Sequence, residues 1–163
     1  MAKNTIKIKK YLDVIEEKTA TAVAISPGML LELNSDNEVL AHSTSTGNAE
    51  KMFALEDELQ GKGIDDDYTA ADKVQCWIAG RGDQVNALLK DEETIVIGDF
   101  MESDGEGRLK KYSADIPDSS FYIYPLQIVG VALEAVDLST LPEGSESSTG
   151  GTYHNPRIRI RVV

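Results

Sequence analysis

The last seven residues of the chain alternate between arginine and aliphatic side chains. Residues 157–163 read Arg-Ile-Arg-Ile-Arg-Val-Val, and residues 6–9 near the other end read Ile-Lys-Ile-Lys. Successive side chains of a β-strand point to opposite faces of the sheet, so an alternation of period two predicts a half-buried strand. The sequence therefore predicts a short basic strand at each end of the chain.

Turn residues recur at short intervals between these two ends. Three segments, 27–31, 81–85 and 97–101, place a glycine just before an apolar run. Glycine adopts a positive φ without steric cost, which suits a tight turn in front of a strand. Turns every 8–12 residues or so are typical of sandwiches and barrels. The predicted fold class is therefore all-β, a compact β-sandwich or barrel-like domain.

Other strands follow from local composition. The apolar runs 29–33 and 38–42 flank a polar turn and predict a hairpin. Segments 73–78 and 93–97 contain the β-branched and aromatic residues that favour strands. The longest apolar run contains Pro125, which cannot donate a ladder hydrogen bond, so the core strand is placed after it, at 126–136.

Residues 49–59 fit two different structures. Met52, Leu55 and Leu59 have helical spacing, and Gly61 could end such a helix. The run 51–55 would serve equally well as a strand. We favour a strand followed by an acidic turn, because the surrounding segments are β.

The length of 163 residues suits a single β-rich domain, predicted to span 1–163. Residues 1–18 form a basic, extended N-terminal arm or strand, and 157–163 form the basic C-terminal strand. Residues 139–155 are rich in Ser, Gly and Thr, which predicts a long flexible loop before the last strand.

The formal net charge is −12, yet both ends are basic. The acidic excess therefore lies in the body, and such a body repels phosphate backbones, which argues against nucleic acid as a partner. The basic ends could dock on an acidic partner or on a neighbouring copy, although a charged row on an edge strand also simply prevents aggregation. The candidate partner-binding residues are Lys7, Lys9, Lys10, Arg157, Arg159 and Arg161.

Nothing in the sequence predicts a membrane partner. The chain has no apolar run near the 20 or so residues that a spanning helix needs. The lysine alternation begins directly after Asn4, so we expect no signal peptide. Cys76 is the only cysteine, which excludes an internal disulfide and favours synthesis in a reducing cytoplasm.

Recognisable catalytic motifs are absent from the sequence, so we predict no enzyme, no catalytic residue and no cofactor. The available bases are His42 and His154, and Cys76 beside Trp77 is interpreted as a small buried thiol. The tripeptide at 81–83, Arg-Gly-Asp, matches an adhesion motif but is explained by a turn.

One acidic cluster leaves a question open. Its oxygens could bind a cation, but an acidic, solvated turn is the favoured interpretation, because a cation site needs convergent ligands. The cluster consists of Asp65, Asp66, Asp67 and Asp72.

Residues 22–136 as a whole resemble the decoration, or structural cement, proteins of tailed-bacteriophage heads. The resemblance rests on Pro-Gly-Met-Leu-Leu-Glu at 27–32, Ala-Glu-Lys-Met-Phe-Ala-Leu-Glu at 49–56, Gly-Asp-Gln-Val-Asn-Ala-Leu-Leu at 82–89 and Gly-Asp at 98–99. It implies a β-rich, often trimeric virion protein, made in the host cytoplasm and bound outside the capsid. The implied partner is the major capsid protein, whose neighbouring subunits it would clamp, and no catalytic residue belongs to that role.

Two other classes of function stay open. A tail, baseplate or carbohydrate-binding module would recognise a cell surface through an aromatic platform. Its residues would be Trp77, Tyr68, Tyr112, Tyr122 and Tyr124. A small hydrolase or metal-dependent enzyme would use His42 or the acidic cluster.

Overall fold

The computed structural model describes residues 5–10, 13–21, 24–113, 126–140 and 156–163. This part of the chain contains strands and one single-turn 3-10 helix, Glu58–Gln60. In chain order the strands are β1 (Lys7–Lys9), β2 (Val14–Thr19), β3 (Leu31–Leu33), β4 (Val39–Ala41), β5 (Met52–Ala54), β6 (Lys73–Ile78), β7 (Gln84–Leu88), β8 (Thr94–Ile95), β9 (Phe100–Ser103), β10 (Leu109–Lys111), β11 (Gly130–Ala132), β12 (Val136–Asp137) and β13 (Arg157–Val162). The all-β prediction is confirmed.

The largest sheet has six antiparallel strands in the order β1-β7-β13-β11-β9-β10. The alternating C-terminal strand is thus an internal strand with a partner on each side. Its aliphatic residues Ile158, Ile160 and Val162 are buried, while Arg161 is exposed. The predicted alternation at this end is confirmed, and the N-terminal alternation forms β1 at the sheet edge.

A second sheet packs against the first. Its order is β2-β6-β5, and Phe53 of β5 faces Trp77 of β6 across the ladder. Both aromatic residues are fully buried in the same cluster as Ile158 and Ile160. Complete burial of one large apolar side chain contributes about 1.5–3 kcal/mol. The burial of Phe53 and Trp77 in one cluster with Ile158 and Ile160 therefore holds the two sheets together as in a sandwich.

The other face of this second sheet is covered by the predicted hairpin, β3 with β4. Leu31 and Val39 of the hairpin share a second buried cluster with Ala54 and Cys76. The ladders of the described strands form no closed barrel, although isolated bridges such as Leu30–Phe53 and Leu89–Leu109 join sheet edges. The arrangement is compatible with the predicted sandwich.

The three glycine turns have the same geometry, as the sequence predicted. Gly28, Gly82 and Gly98 have φ of 94°, 95° and 96°. In each turn the residue after the glycine donates its amide to a carbonyl three residues earlier, as Asp99 does to Val96 at 3.1 Å. A positive φ at the third position of a turn is what glycine provides.

The predicted core strand at 126–136 is wrong in its extent. Strand β11 covers only Gly130–Ala132, and β12 pairs with β8 in a separate two-stranded ladder. The chain bends at residues 133–134. There Leu133 still donates its amide to the Arg159 carbonyl at 2.9 Å, but the Arg159 amide donates to the Glu134 carboxylate at 2.8 Å. A side chain thus takes the place of one of the two backbone bonds at this position of the ladder.

For residues 49–59, the strand interpretation is confirmed. Strand β5 is followed by Asp57, whose side chain accepts the amides of Leu59 and Gln60 and caps the 3-10 helix. Gly61 does end a helical turn, with φ of 73°. Most of the predicted loop at 139–155 lies outside the described residues, and the single domain over 1–163 stays a prediction. The described part of the N-terminal arm contains β1 and most of β2, which join different sheets.

Candidate functional site

The three C-terminal arginines have three different environments. Arg157 is nearly buried, and its Nη1 lies 2.7 Å from Asp65 Oδ1. Its Nη2 also donates to the carbonyl oxygens of Pro27, at 3.2 Å, and Ile64. Arg157 is therefore bound into the fold rather than displayed to a partner.

Arg159 interacts with Glu134, while Arg161 is left to solvent. Arg159 Nε is 4.0 Å from Glu134 Oε2, beside the bond from the Arg159 amide to the same carboxylate. Arg161 is exposed, and no carboxylate of the described residues lies within 4.0 Å of its guanidinium. The chain's own acidic residues thus neutralise two of the three arginines.

The N-terminal lysines also differ in their environments, since two of them form ion pairs and the third is exposed to solvent. Lys7 Nζ is 3.4 Å from Asp13 Oδ1, and Lys10 forms an ion pair with the other oxygen of the same carboxylate. The hydrogen bond from Lys10 and the charge of Lys7 hold the pKa of Asp13 below its usual value. Lys9 is exposed, and in the described part of the chain it has no ion pair.

A residue outside the predicted set lies beside Lys9. Lys9, Lys10 and Arg81 line one surface groove of about 230 Å³. Arg81 belongs to the turn at 80–83, which is held against the C-terminal strand because Gly82 donates its amide to the Val162 carbonyl at 2.9 Å. We refer to Lys9, Arg81 and Arg161 as the basic corner. Sequence reasoning missed Arg81 because a turn residue shows no periodicity.

The same turn contains the Arg-Gly-Asp tripeptide. Asp83 is only 1% exposed, and its carboxylate accepts the Gly80 amide at 2.8 Å. A buried carboxylate cannot be presented to an adhesion receptor. The interpretation of 81–83 as a turn is confirmed.

An apolar row continues from the basic corner across the sheet. Arg161 of β13 is the register partner of Val131 on β11, and Val131 is the partner of Phe100 on β9. Cross-strand partners share one face of a sheet. The Phe100 side chain is 48% exposed, so this row is open to solvent. We refer to Val131 and Phe100 as the apolar row.

The two candidate catalytic side chains in the described residues are both buried. His42 Nδ1 is 2.8 Å from Ser103 Oγ, and its Nε2 is 3.0 Å from the Asn48 carbonyl oxygen. A carbonyl only accepts, so Nε2 donates to it, and Nδ1 and the Ser103 hydroxyl share the other hydrogen bond. Burial raises the pKa of the Cys76 thiol to about 12. Neither group is placed to attack a substrate, and His154 lies outside the described residues.

The acidic cluster does not converge. Asp66 accepts the Gly63 amide at 2.8 Å, and Asp67 accepts the Ser26 hydroxyl at 2.5 Å. Asp72 accepts from Thr69 and pairs with Lys62, while Asp65 pairs with Arg157. Within the described ranges no three acidic, histidine or cysteine side chains form a group that could hold a metal ion.

The aromatic platform predicted for a carbohydrate module is wrong for its central members. Trp77 and Tyr68 are both 0% exposed, because they fill the two cores. Tyr112 is half-buried, and Tyr122 and Tyr124 lie outside the described residues. A sugar ring cannot stack on the buried pair.

The fold and surface define an all-β protein with an exposed basic and apolar face. No helix in the described ranges is long and apolar enough to cross a membrane. A scan of known protein families finds no match, and a search of curated proteins finds none either.

One solved structure with this fold is the N base of the head fiber gp8.5 of bacteriophage phi29. The two chains share 10% sequence identity, with a TM-score of 0.53. The match covers 93% of this chain and 95% of that chain. At this level of identity, the structural likeness shows a shared fold and no more. The matched protein comes from a phage head, the class that the sequence resemblance had indicated.

Proposed function

We propose that this chain is a non-enzymatic structural protein of a phage head, bound to the capsid exterior, where it stabilises contacts between major capsid subunits. The main support for this proposal is that the fold is similar to that of a phage head-fiber base over nearly the whole of both chains. The resemblance to head decoration proteins rests on sequence motifs rather than on the fold, and it supports the same class of phage head proteins.

The buried chemistry of the described residues is consistent with this proposal. His42 and Cys76 are groups that an enzyme could use, and both are held inside the fold by packing and hydrogen bonds. What the chain displays is a face of charged and apolar side chains. Such a face stabilises a partner by burying area at an interface.

Stabilisation of a shell follows from mass action. A protein that binds the assembled shell but not its separated subunits lowers the free energy of the assembled state. At a free concentration of 100 times the Kd, one site contributes about 2.7 kcal/mol. Many copies on one shell would together resist internal DNA pressure.

The test uses expanded capsids that lack the protein. We expect saturable binding by the purified full chain and an increase in the temperature at which the capsids release their DNA. Heat-denatured chain at the same concentration is the control. An absence of saturable binding, with unchanged capsid heat resistance, would refute the proposal.

A second candidate, the base of a fiber on the head, is favoured by the name of the matched protein. A base would bind capsids without raising their heat resistance, and would carry a further protein. Binding to isolated tails but not to capsids would instead favour the tail or baseplate alternative. Light scattering on the free protein tests the expected trimer.

A further inference from the structure

The basic corner is notable because, among the described residues, its charges have no ion-pair partner, although the chain has an excess of acid. The chain has 28 Asp and Glu against 16 Lys and Arg. Even so, Lys9, Arg81 and Arg161 have no carboxylate within 4.0 Å among the described residues. The neighbouring Lys7, Lys10, Arg157 and Arg159 all have one. The lack of partners at the corner is therefore not caused by a shortage of acid.

Tertiary structure brings the corner together from three distant segments. Lys9 and Arg161 are register partners of the same residue, Gln84, from its two sides. Two strand spacings separate their backbones by about 10 Å. The turn that carries Arg81 closes onto the last strand through the Gly82–Val162 hydrogen bond. Like charges at this spacing repel one another unless an anionic group lies between them.

The apolar row adjoins the corner on the same face. Phe100 is 48% exposed, and the turn before it presents Ile97, which is 69% exposed. Arginine and aromatic residues are enriched in protein interfaces, where apolar contact lies beside desolvated charge. The face thus combines the two elements of a protein-docking surface.

We propose that the basic corner and the apolar row together dock a carboxylate-rich protein surface of the assembled shell. This inference rests on the proposed function, and it identifies the face and the partner chemistry. Carboxylates of the shell lie against Lys9, Arg81 and Arg161, and an apolar side chain packs on Phe100.

Nucleic acid fits this face less well. A duplex presents one negative charge every 1.7 Å or so, and the net charge of −12 on the chain would repel it. A phosphate backbone also offers nothing to Phe100 and Val131. A protein can place its carboxylates opposite the corner and an apolar group opposite the row.

The experiment compares two double variants with the same change in net charge. Lys9→Glu/Arg161→Glu reverses the corner. Lys73→Glu/Lys90→Glu is the matched control, because Lys73 lies on β6 and Lys90 follows the far end of β7. Binding of each full-length protein to capsids that lack it is measured at 50 mM and 300 mM salt.

We expect the corner variant to lose affinity by about tenfold or more at 50 mM salt, and the control by less than about threefold. Because screening weakens only the charged contacts, the wild-type affinity should fall with salt more steeply than that of the corner variant. Phe100→Ala should lose about tenfold at both salt concentrations. Thermal unfolding shows whether each variant is folded.

The outcomes separate this inference from the proposed function. If wild-type protein does not bind capsids, both are refuted. If it binds and the corner variant binds equally well, the docking face alone is wrong. Loss of an oligomer in the corner variant, seen by light scattering with capsid binding retained, would assign the face to copy–copy contact and also overturn the inference. Salt-sensitive binding of DNA in place of capsids would overturn it too.

Discussion

Arg157 and Asp65 form an ion pair of 2.7 Å between residues 92 positions apart in the chain. The Arg157 side chain is 11% exposed and reaches two backbone carbonyls in addition, so it ties the internal strand β13 to the segment that precedes Tyr68. The sequence pattern predicts that Arg157 belongs to an exposed row of arginines, but in the structure its side chain helps to hold the fold together. Its two companions differ from it only in which groups the fold places near them.

Replacing Arg157 should therefore destabilise the monomer. We expect Arg157→Ala to lower the free energy of unfolding by about 2–3 kcal/mol, since two carbonyls lose a charged donor. Asp65→Ala should cost less than about 1 kcal/mol, because Asp65 is half exposed and Arg157 keeps its carbonyl partners. Urea unfolding measures both. The control Arg161→Ala should stay within about 0.5 kcal/mol of wild type, and an equal loss in both arginine variants would contradict the assignment.

The hydrogen bonds of His42 should contribute to stability rather than to catalysis. His42→Phe keeps a ring of similar size in a site that is 2% exposed, but it leaves the Asn48 carbonyl without its donor. We expect a loss of about 1–3 kcal/mol in the free energy of unfolding. Guanidinium unfolding provides the measurement, with unchanged capsid binding by the folded variant as the second observation. A variant that keeps full stability but loses binding would show that His42 has a functional role.

Stability should decline on the alkaline side of neutrality. Burial raises the pKa of Cys76 from 9.0 to about 12, and burial together with the charge of Asp57 raises that of Tyr68. Above pH 9 the unfolded chain releases a thiol proton that the folded chain retains, so the unfolded state gains stability as pH rises. The loss from one such group is at most about 1.4 kcal/mol per pH unit between its two pKa values.

The control for this prediction is Cys76→Ala, which removes the thiol and leaves Tyr68 in place. Urea midpoints between pH 8 and 10.5 should fall less steeply for this variant than for wild type. Parallel slopes would mean that the thiol titrates alike in the folded and unfolded states. The native thiol should also resist alkylation at pH 8 and react once urea unfolds the chain.

The glycine turns should differ in their tolerance of a side chain. A Cβ on Gly98 would meet nothing within 4 Å, so Gly98→Ala should cost about 1–2 kcal/mol from its positive φ alone. A Cβ on Gly28 would lie 3.2 Å from the Asn86 carbonyl oxygen and 3.3 Å from Ile6 Cδ1. Gly28→Ala should therefore cost at least about 1 kcal/mol more.

Thermal and urea unfolding of the two alanine variants show which one loses more stability. Gly98→Asn is a useful companion, because asparagine tolerates this position of the turn better than alanine does. Equal losses at Gly28 and Gly98 would show that the backbone near Gly28 yields to the added methyl group.

Local sequence patterns correctly predicted the strands and turns whose structure depends mainly on residues close together in the chain. The alternation at 157–163 and 6–9 identified two strands and the buried side of the C-terminal one, and the glycines at 28, 82 and 98 identified three turns. The continuous apolar run at 126–136 predicted one strand, but the structure has only the short β11 there. The strand ends near a contact between Glu134 and Arg159, two residues 25 positions apart. The Glu134 carboxylate accepts a hydrogen bond from the Arg159 amide, and this contact exists only once β13 has paired with β11.

By itself, then, the sequence determined that this chain is all-β, that its ends are basic strands and that Ile158 and Ile160 point inward. Only the tertiary structure decided that Arg157 meets Asp65 and that Arg159 meets Glu134. It also decided that the exposed Arg161 shares its register partner Gln84 with Lys9, close to the turn that carries Arg81. The physical reason is that the period of a strand sets the faces of its side chains, whereas long-range pairing chooses its neighbours.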